Sequence, residues 1–253
     1  MRSRVVTGLV LGVTALVLVF AASPLVGWAA SLVLGFLGGL ELVRLVAPRE
    51  DAGMTLGIAC GSALVAATLS APLALLAALA GAMLLVLESG RSWRSLVGGV
   101  AWLGGGLGGL RVLAEFHPIG LTWDPRPVVL MLLLPIWAGD TLAYFGGRKW
   151  GRTPLAPEIS PKKTREGALA GLAGSLLVAV LAGRWLGVPV GTSLLVGVAV
   201  GYIGPAGDLL ESLLKRRVGM KDSGTLLPGH GGVLDRIDSL LLAAPVVALL
   251  LLR

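Results

Sequence analysis

The chain has 253 residues, of which 55% are hydrophobic and only 14% charged, with a net charge of +7 and a mean hydropathy of +0.88. A water-soluble domain of this length carries about a quarter charged residues, so the composition excludes an ordinary soluble domain and points to an all-α, polytopic membrane bundle. The positive balance does not indicate nucleic acid, because Lys and Arg accumulate in the cytoplasmic loops of membrane proteins and attract anionic lipid.

The apolar runs predict about nine spans. Arg2 and Arg4 precede the first, 5–22, which reads as an uncleaved helix because further spans follow at once. The second starts at Pro24, runs to 43 and ends among Glu41, Arg44, Arg49, Glu50 and Asp51. Spans three and four, 54–70 and 71–87, divide at Ala71-Pro72. The single Cys60 lies in the third; it can form no internal disulfide and reads as a small core residue. A polar patch with Glu88, Arg91 and Arg94 follows.

Span five, 96–113, contains Gly104, Gly106 and Gly109, a literal G-x-G-x-x-G. No strand precedes it, so these are packing glycines and not a dinucleotide site. His117 belongs to a loop with Glu115, Asp124 and Arg126 and reads as solvated. Span six, 127–145, carries Asp140 with Tyr144 on the same face. A carboxylate at that depth costs roughly 2.5–3.5 kcal/mol, so it should face the bundle interior. The basic stretch of Arg148, Lys149, Arg152, Lys162, Lys163 and Arg165 comes next, and Thr164 is placed to cap the helix that follows. A helix start flanked by lysines can receive phosphate. Span seven covers 167–182, span eight 188–206 and span nine 237–252. The whole reads as one integral membrane domain, with N-terminal spans over 1–126 and a catalytic half over 127–253.

With the N-terminus in the cytoplasm and alternating spans, seventeen of the 21 Lys and Arg fall on the cytoplasmic side. That asymmetry predicts this orientation in the cell membrane. It also predicts that the charged segments 146–166 and 207–238 face the cytoplasm, where nucleotides are.

The segment 207–238 holds five of the fourteen acids. Asp208, Glu211, Ser212 and Lys215 share one helical face, and Asp235 and Asp238 are three apart on another helix. Asp208, Asp222, Asp235 and Asp238 can therefore converge. Carboxylates without Cys suit a hard cation such as Mg²⁺ rather than zinc. Lys215, Arg216, Arg217, Lys221 and Arg236 alternate with them, as metal-assisted phosphoryl chemistry requires. Gly229, Gly231 and Gly232 leave backbone N–H groups open to phosphate. No P-loop and no G-x-S-x-G elbow is present. A transporter would show interrupted helices in both halves, whereas here the charges concentrate in one.

The run from Ser212-x-Leu-Lys-Arg through Lys221-Asp222-x-Gly224 and Leu227-Pro228-x-His230-Gly-Gly-Val-x-Asp235-Arg236-Ile-Asp238 resembles the full signature of the phosphatidate cytidylyltransferases. Asp140-Thr-Leu-Ala-Tyr144-Phe-Gly-Gly-Arg148 and Ile159-Ser-Pro-Lys-Lys-Thr-Arg-Glu-Gly167 are similar to the same family, so the likeness spans 127–252. The resemblance implies transfer of CMP from CTP to phosphatidic acid with Mg²⁺ and room for a second cation. It implies catalytic roles for Asp208, Asp235, Lys221, Asp222 and Arg236. It implies metal ligation by Asp208, Asp235, Asp222 and Asp238. Substrate contacts are expected from Lys162, Lys163, Ser212, Lys215, Arg216, His230, Gly231, Gly232 and Asp140. CTP, phosphatidic acid and membrane lipids are the expected partners; the glycine-rich spans are compatible with a homodimer.

Overall fold

The computed structural model describes residues 24–46, 52–88, 92–115, 128–227, 229 and 231–252. The first predicted span, the loop holding His117, and His230 lie outside these residues. Among the described residues there are eight helices. In chain order they are α1 (Pro24–Val46), α2 (Ala52–Thr68), α3 (Ala71–Leu87), α4 (Trp93–Glu115), α5 (Leu130–Trp150), α6 (Arg165–Leu186), α7 (Val190–Arg217) and α8 (Leu234–Leu251). Five of them are long and apolar enough to cross a membrane, while α2 and α3 are shorter apolar helices.

Local sequence accounts for several boundaries. α3 begins at the predicted break, with Ser70 at the N-cap position and Pro72 in the first turn, where its missing N–H costs nothing. Thr164 caps α6 as expected: its Oγ1 accepts the Gly167 N–H at 3.1 Å. Gly187, at φ 75°, ends that helix in the left-handed conformation a side chain resists. The eighth predicted span and the charged segment after it form one continuous helix, α7, of 28 residues. At 1.5 Å per residue it is about 42 Å long, more than a hydrocarbon core of about 30 Å. Its charged last turns can therefore stand clear of lipid.

The basic stretch between α5 and α6 adds a feature that the all-helical reading lacked. Strand β1 (Pro154–Ala156) pairs antiparallel with β2 (Ser160–Thr164). Pro154, Pro157 and Pro161 forbid a continuing helix here. The hairpin is tied to α6 by Glu166, whose carboxylate accepts the backbone N–H of Arg152 at 3.1 Å and of Thr153 at 3.2 Å.

α8 is the seam of the bundle, packed on α4 on one side and α7 on the other. One core cluster joins Met131 and Leu132 of α5, Ala179 of α6, Val196 of α7, and Ala243 and Val247 of α8. The other joins Leu42 of α1 and Trp102 and Leu107 of α4 to Leu210 and Leu214 of α7 and Leu234 and Leu241 of α8. The glycines of α4 make the second cluster possible. A Cβ at Gly106 would strike the backbone of Leu241, and one at Gly109 would strike Pro245, so they are packing glycines as their context predicted. Cys60 departs from expectation: it is exposed. α2 packs inward through Ala59, Ala63 and Ala66, and the next position round the helix faces out. Leu64, Leu76, Leu177 and Leu181 are exposed as well. Such an apolar exterior suits lipid rather than water.

Candidate active site

The charged residues of the C-terminal half gather where the ends of α7 and α8 meet the hairpin. α7 contributes the predicted stripe. Ser212 Oγ donates to Asp208 Oδ1 at 3.3 Å, and Lys215 Nζ donates to Glu211 Oε2 at 2.5 Å. α8 supplies the partner: Lys215 Nζ also lies 2.6 Å from Asp235 Oδ1. From β2, Lys163 Nζ reaches Asp208 Oδ2 at 2.6 Å.

Asp208 is within electrostatic range of Asp140 on α5 and Asp238 on α8, and Lys163 is within range of both. Asp238 also feels Lys215 and Glu211. Three helices and a strand thus bring Asp140, Asp208, Glu211, Asp235 and Asp238 each within electrostatic range of Lys163 or Lys215. Glu211 is fully buried, and its Oε1 has no hydrogen-bond partner. Asp140, expected to face the bundle interior, is instead exposed, within electrostatic range of Asp208 and Lys163.

The loop between α7 and α8 is folded around Asp235. Its Oδ2 accepts the Gly232 N–H at 2.8 Å, the Ser223 N–H at 2.9 Å and the Ser223 hydroxyl at 3.0 Å. Leu227 N–H donates to Gly231 O at 2.9 Å, and Gly229 and Gly231 have φ of 75° and 81°. The Gly232 N–H, expected to face phosphate, is thus engaged within the protein. Asp222 is exposed beside Gly231, and Lys162, Lys221, Arg216 and Arg236 are exposed too. Arg216 reaches back to the hairpin turn, donating to Ile159 O at 3.3 Å. Among the described residues, no three carboxylate, thiol or imidazole groups stand close enough to close a coordination shell by themselves.

Three residues outside the expected set are built into this site: Glu211, which holds Lys215, Ser223 and Glu41. Ser223 fills the unspecified position of Lys221-Asp222-x-Gly224. Glu41 comes from α1, far away in sequence, and is buried with its carboxylate in the same loop. An acid near the end of an apolar run was the one sequence signal for Glu41; nothing in the pattern said which residues it meets.

The sequence profile of the cytidylyltransferase family matches residues 2–252 of this chain. A phosphatidate cytidylyltransferase of Brucella abortus is 37% identical over 265 aligned positions, covering 98% of this chain and 92% of that protein. One from Synechocystis is 50% identical over 135 positions, covering 53% of this chain and 44% of that protein. Phosphatidate cytidylyltransferase 5, chloroplastic, of Arabidopsis thaliana is 43% identical over 155 positions, 59% of this chain and 33% of that protein. With the match running almost end to end, the chain belongs to the cytidylyltransferase family.

Proposed function

We infer that this chain is a membrane nucleotidyltransferase that moves CMP from CTP to phosphatidic acid, giving CDP-diacylglycerol and pyrophosphate for phospholipid synthesis. The observation that carries the reading is the gapped run from Ser212 to Asp238, in which Lys215 pairs with Asp235, with the Lys163–Asp208 pair at the same end of an apolar bundle. A lipid phosphate and a soluble nucleotide can meet only at such a boundary. The family match and the Brucella relative support it.

In this reaction an oxygen of the lipid phosphate forms a bond to the α-phosphorus of CTP. The bond from that phosphorus to its bridging oxygen breaks, and pyrophosphate leaves with the electron pair. A phosphate monoester is already largely ionised near neutral pH, with a second pKa of about 6. No side chain has to take its proton, and no covalent enzyme intermediate is required. The work left to the protein is positioning and charge neutralisation.

The residues present fit a hard divalent cation. All the donors are carboxylate oxygens, acids outnumber the two lysines, and Glu211 keeps a buried oxygen unpartnered. Asp208 and Asp238 would hold Mg²⁺, with Asp235 and Asp140 beside them and Asp222 at the outer edge of the loop. When bound, the cation supplies Lewis-acid polarisation of phosphoryl oxygens and neutralises charge. Lys163, paired with Asp208, would meet a phosphate directly, while the buried Lys215, held by Glu211 and Asp235, would add positive charge from beneath the site. Lys162, Arg216, Lys221 and Arg236, being exposed, are positioned to meet the incoming nucleotide or headgroup. The excess of Lys and Arg at this end supports a cytoplasmic site and a cytoplasmic N-terminus, and the apolar runs support about nine spans in the cell membrane.

The test is direct. Membranes carrying the chain receive radiolabelled CTP and phosphatidic acid, and label must enter the lipid phase as pyrophosphate is released. Asp208→Asn and Asp235→Asn should each abolish incorporation while the protein stays folded in detergent. Label confined to water-soluble nucleotide sinks the reaction; near-normal turnover in both variants sinks the site.

A further inference from the structure

Glu41 is a buried carboxylate on α1, outside the signature and on the opposite half of the chain. Its Oε1 accepts the Val233 N–H at 3.0 Å, and its Oε2 accepts the Leu234 N–H at 2.8 Å. These are among the open N–H groups at the start of α8, which has no side-chain cap of its own. A negative charge there also suits the positive end of the helix. The third donor is the Ser223 hydroxyl, 3.0 Å from Glu41 Oε2 and 3.0 Å from Asp235 Oδ2. A hydroxyl has one hydrogen, so it either serves the two carboxylates in turn or is shared between them. Glu41 therefore touches the element that carries Asp235 and also the group that hydrogen-bonds Asp235.

The loop is shaped to receive this carboxylate. A Cβ on Gly224 would lie 2.5 Å from Glu41 Oε1. A Cβ on Gly232 would collide with Glu41 Oε2 and with Ser223 Oγ. Both glycines belong to the gapped run. The space they leave is filled by Glu41 from α1, not by open solvent.

We propose that Glu41 is a positioning residue for the transfer reaction: it holds Ser223 and the start of α8 so that Asp235 meets Lys215. This rests on the function given above and extends it to a residue the family signature does not contain. Glu41 touches no reacting atom; it acts through Ser223 and Asp235. Groups that orient ligands and site carboxylates in this way typically change activity by about 10–100-fold when altered. Gln is a poor substitute. Three hydrogens point at the carboxylate, and an amide nitrogen would face one of them with another.

The experiment compares Glu41→Gln, Ser223→Ala and the double variant with the unaltered protein in detergent. Turnover, KM for each substrate and the CTP-dependent rise in unfolding temperature are measured. The unaltered protein must first incorporate label into lipid; if it does not, the functional reading fails before this one is reached. Each single variant should lose about tenfold or more in kcat, with KM for phosphatidic acid unchanged within about twofold. The double variant should lose no more than the worse single one, because both act through Asp235. Losses that multiply, or a Glu41→Gln protein that turns over at the unaltered rate, overturn the proposal. If Glu41→Gln does not fold, Ser223→Ala decides the matter alone. Lost turnover at an unchanged unfolding temperature supports the link, and full turnover refutes it.

Discussion

The Lys163 ammonium lies 2.6 Å from Asp208 Oδ2 and joins the hairpin to α7. Both side chains are close to a third exposed. A pair so placed contributes little to stability, but it holds a cation beside carboxylates where solutes can reach it. Lys163→Ala is expected to lower turnover by about a hundredfold while the unfolding temperature stays nearly unchanged. Lys162, the next residue on the strand, points to the opposite side and is more exposed. Lys162→Ala should cost markedly less. Equal losses from the two variants, in initial-rate assays at saturating CTP, would show that the pairing with Asp208 has no special part.

Metal removal provides a second check. Asp140, Asp208, Glu211, Asp235 and Asp238 present only hard oxygens, so an oxygen-seeking cation should be required. Excess EDTA is expected to stop incorporation of label into lipid, and Mg²⁺ should restore it. Zn²⁺, which prefers nitrogen and sulfur donors, should restore it poorly. Undiminished turnover in EDTA would remove the metal from the reaction.

Arg217 ties the end of α7 to the end of α3. Its guanidinium donates to Leu85 O, to Val86 O at 2.9 Å and to Glu88 O at 2.8 Å. The last carbonyls of a helix lack internal partners, and a cation there suits the helix dipole. Arg217→Ala should therefore destabilise the fold by roughly 1–2 kcal/mol, read as a lower unfolding temperature in detergent. Arg217→Lys should recover only part of that, since one ammonium cannot reproduce the planar fork. A variant as stable as the unaltered protein would mean that the three contacts are not maintained in solution.

Helix contacts at α4 give a fourth prediction. Gly106 meets the backbone of Leu241 on α8. Gly106→Val must push α4 and α8 apart, with an expected cost of about 1–3 kcal/mol or more and a fall in folded yield. Gly57 on α2 has nothing within 4 Å of a built Cβ, and Gly57→Ala should be tolerated. Comparing the two by thermal unfolding separates packing from a general intolerance of side chains at glycine.

Much of this protein was readable in one dimension. Hydropathy located most of the described helices closely, because a helix that meets lipid must satisfy its backbone internally and be apolar along its length; it stopped the eighth span at 206, whereas α7 continues through charged residues to Arg217. The spacing of Asp208, Glu211, Ser212 and Lys215 put them on one face, since a helix returns to the same side every three or four residues. Thr164 declared itself as a cap by its position before a helix. The family was legible in the long gapped run. The hairpin was less so: its strands are three and five residues long, too short for alternation to show.

The class of protein, most helices and the charged end follow from local pattern, and the reaction from the resemblance that the gapped run carries. Which groups meet follows from the folded packing. It paired Lys163 with Asp208 and Lys215 with Asp235, turned the Gly232 N–H inward, and left Asp222 exposed. It also brought Glu41 across 182 positions to Ser223. Such contacts join residues far apart in the chain, so no periodicity records them. They are set by how α1, α7 and α8 pack, and that packing depends on glycines such as Gly224 and Gly232, whose missing side chains leave room for a partner that the local pattern does not name.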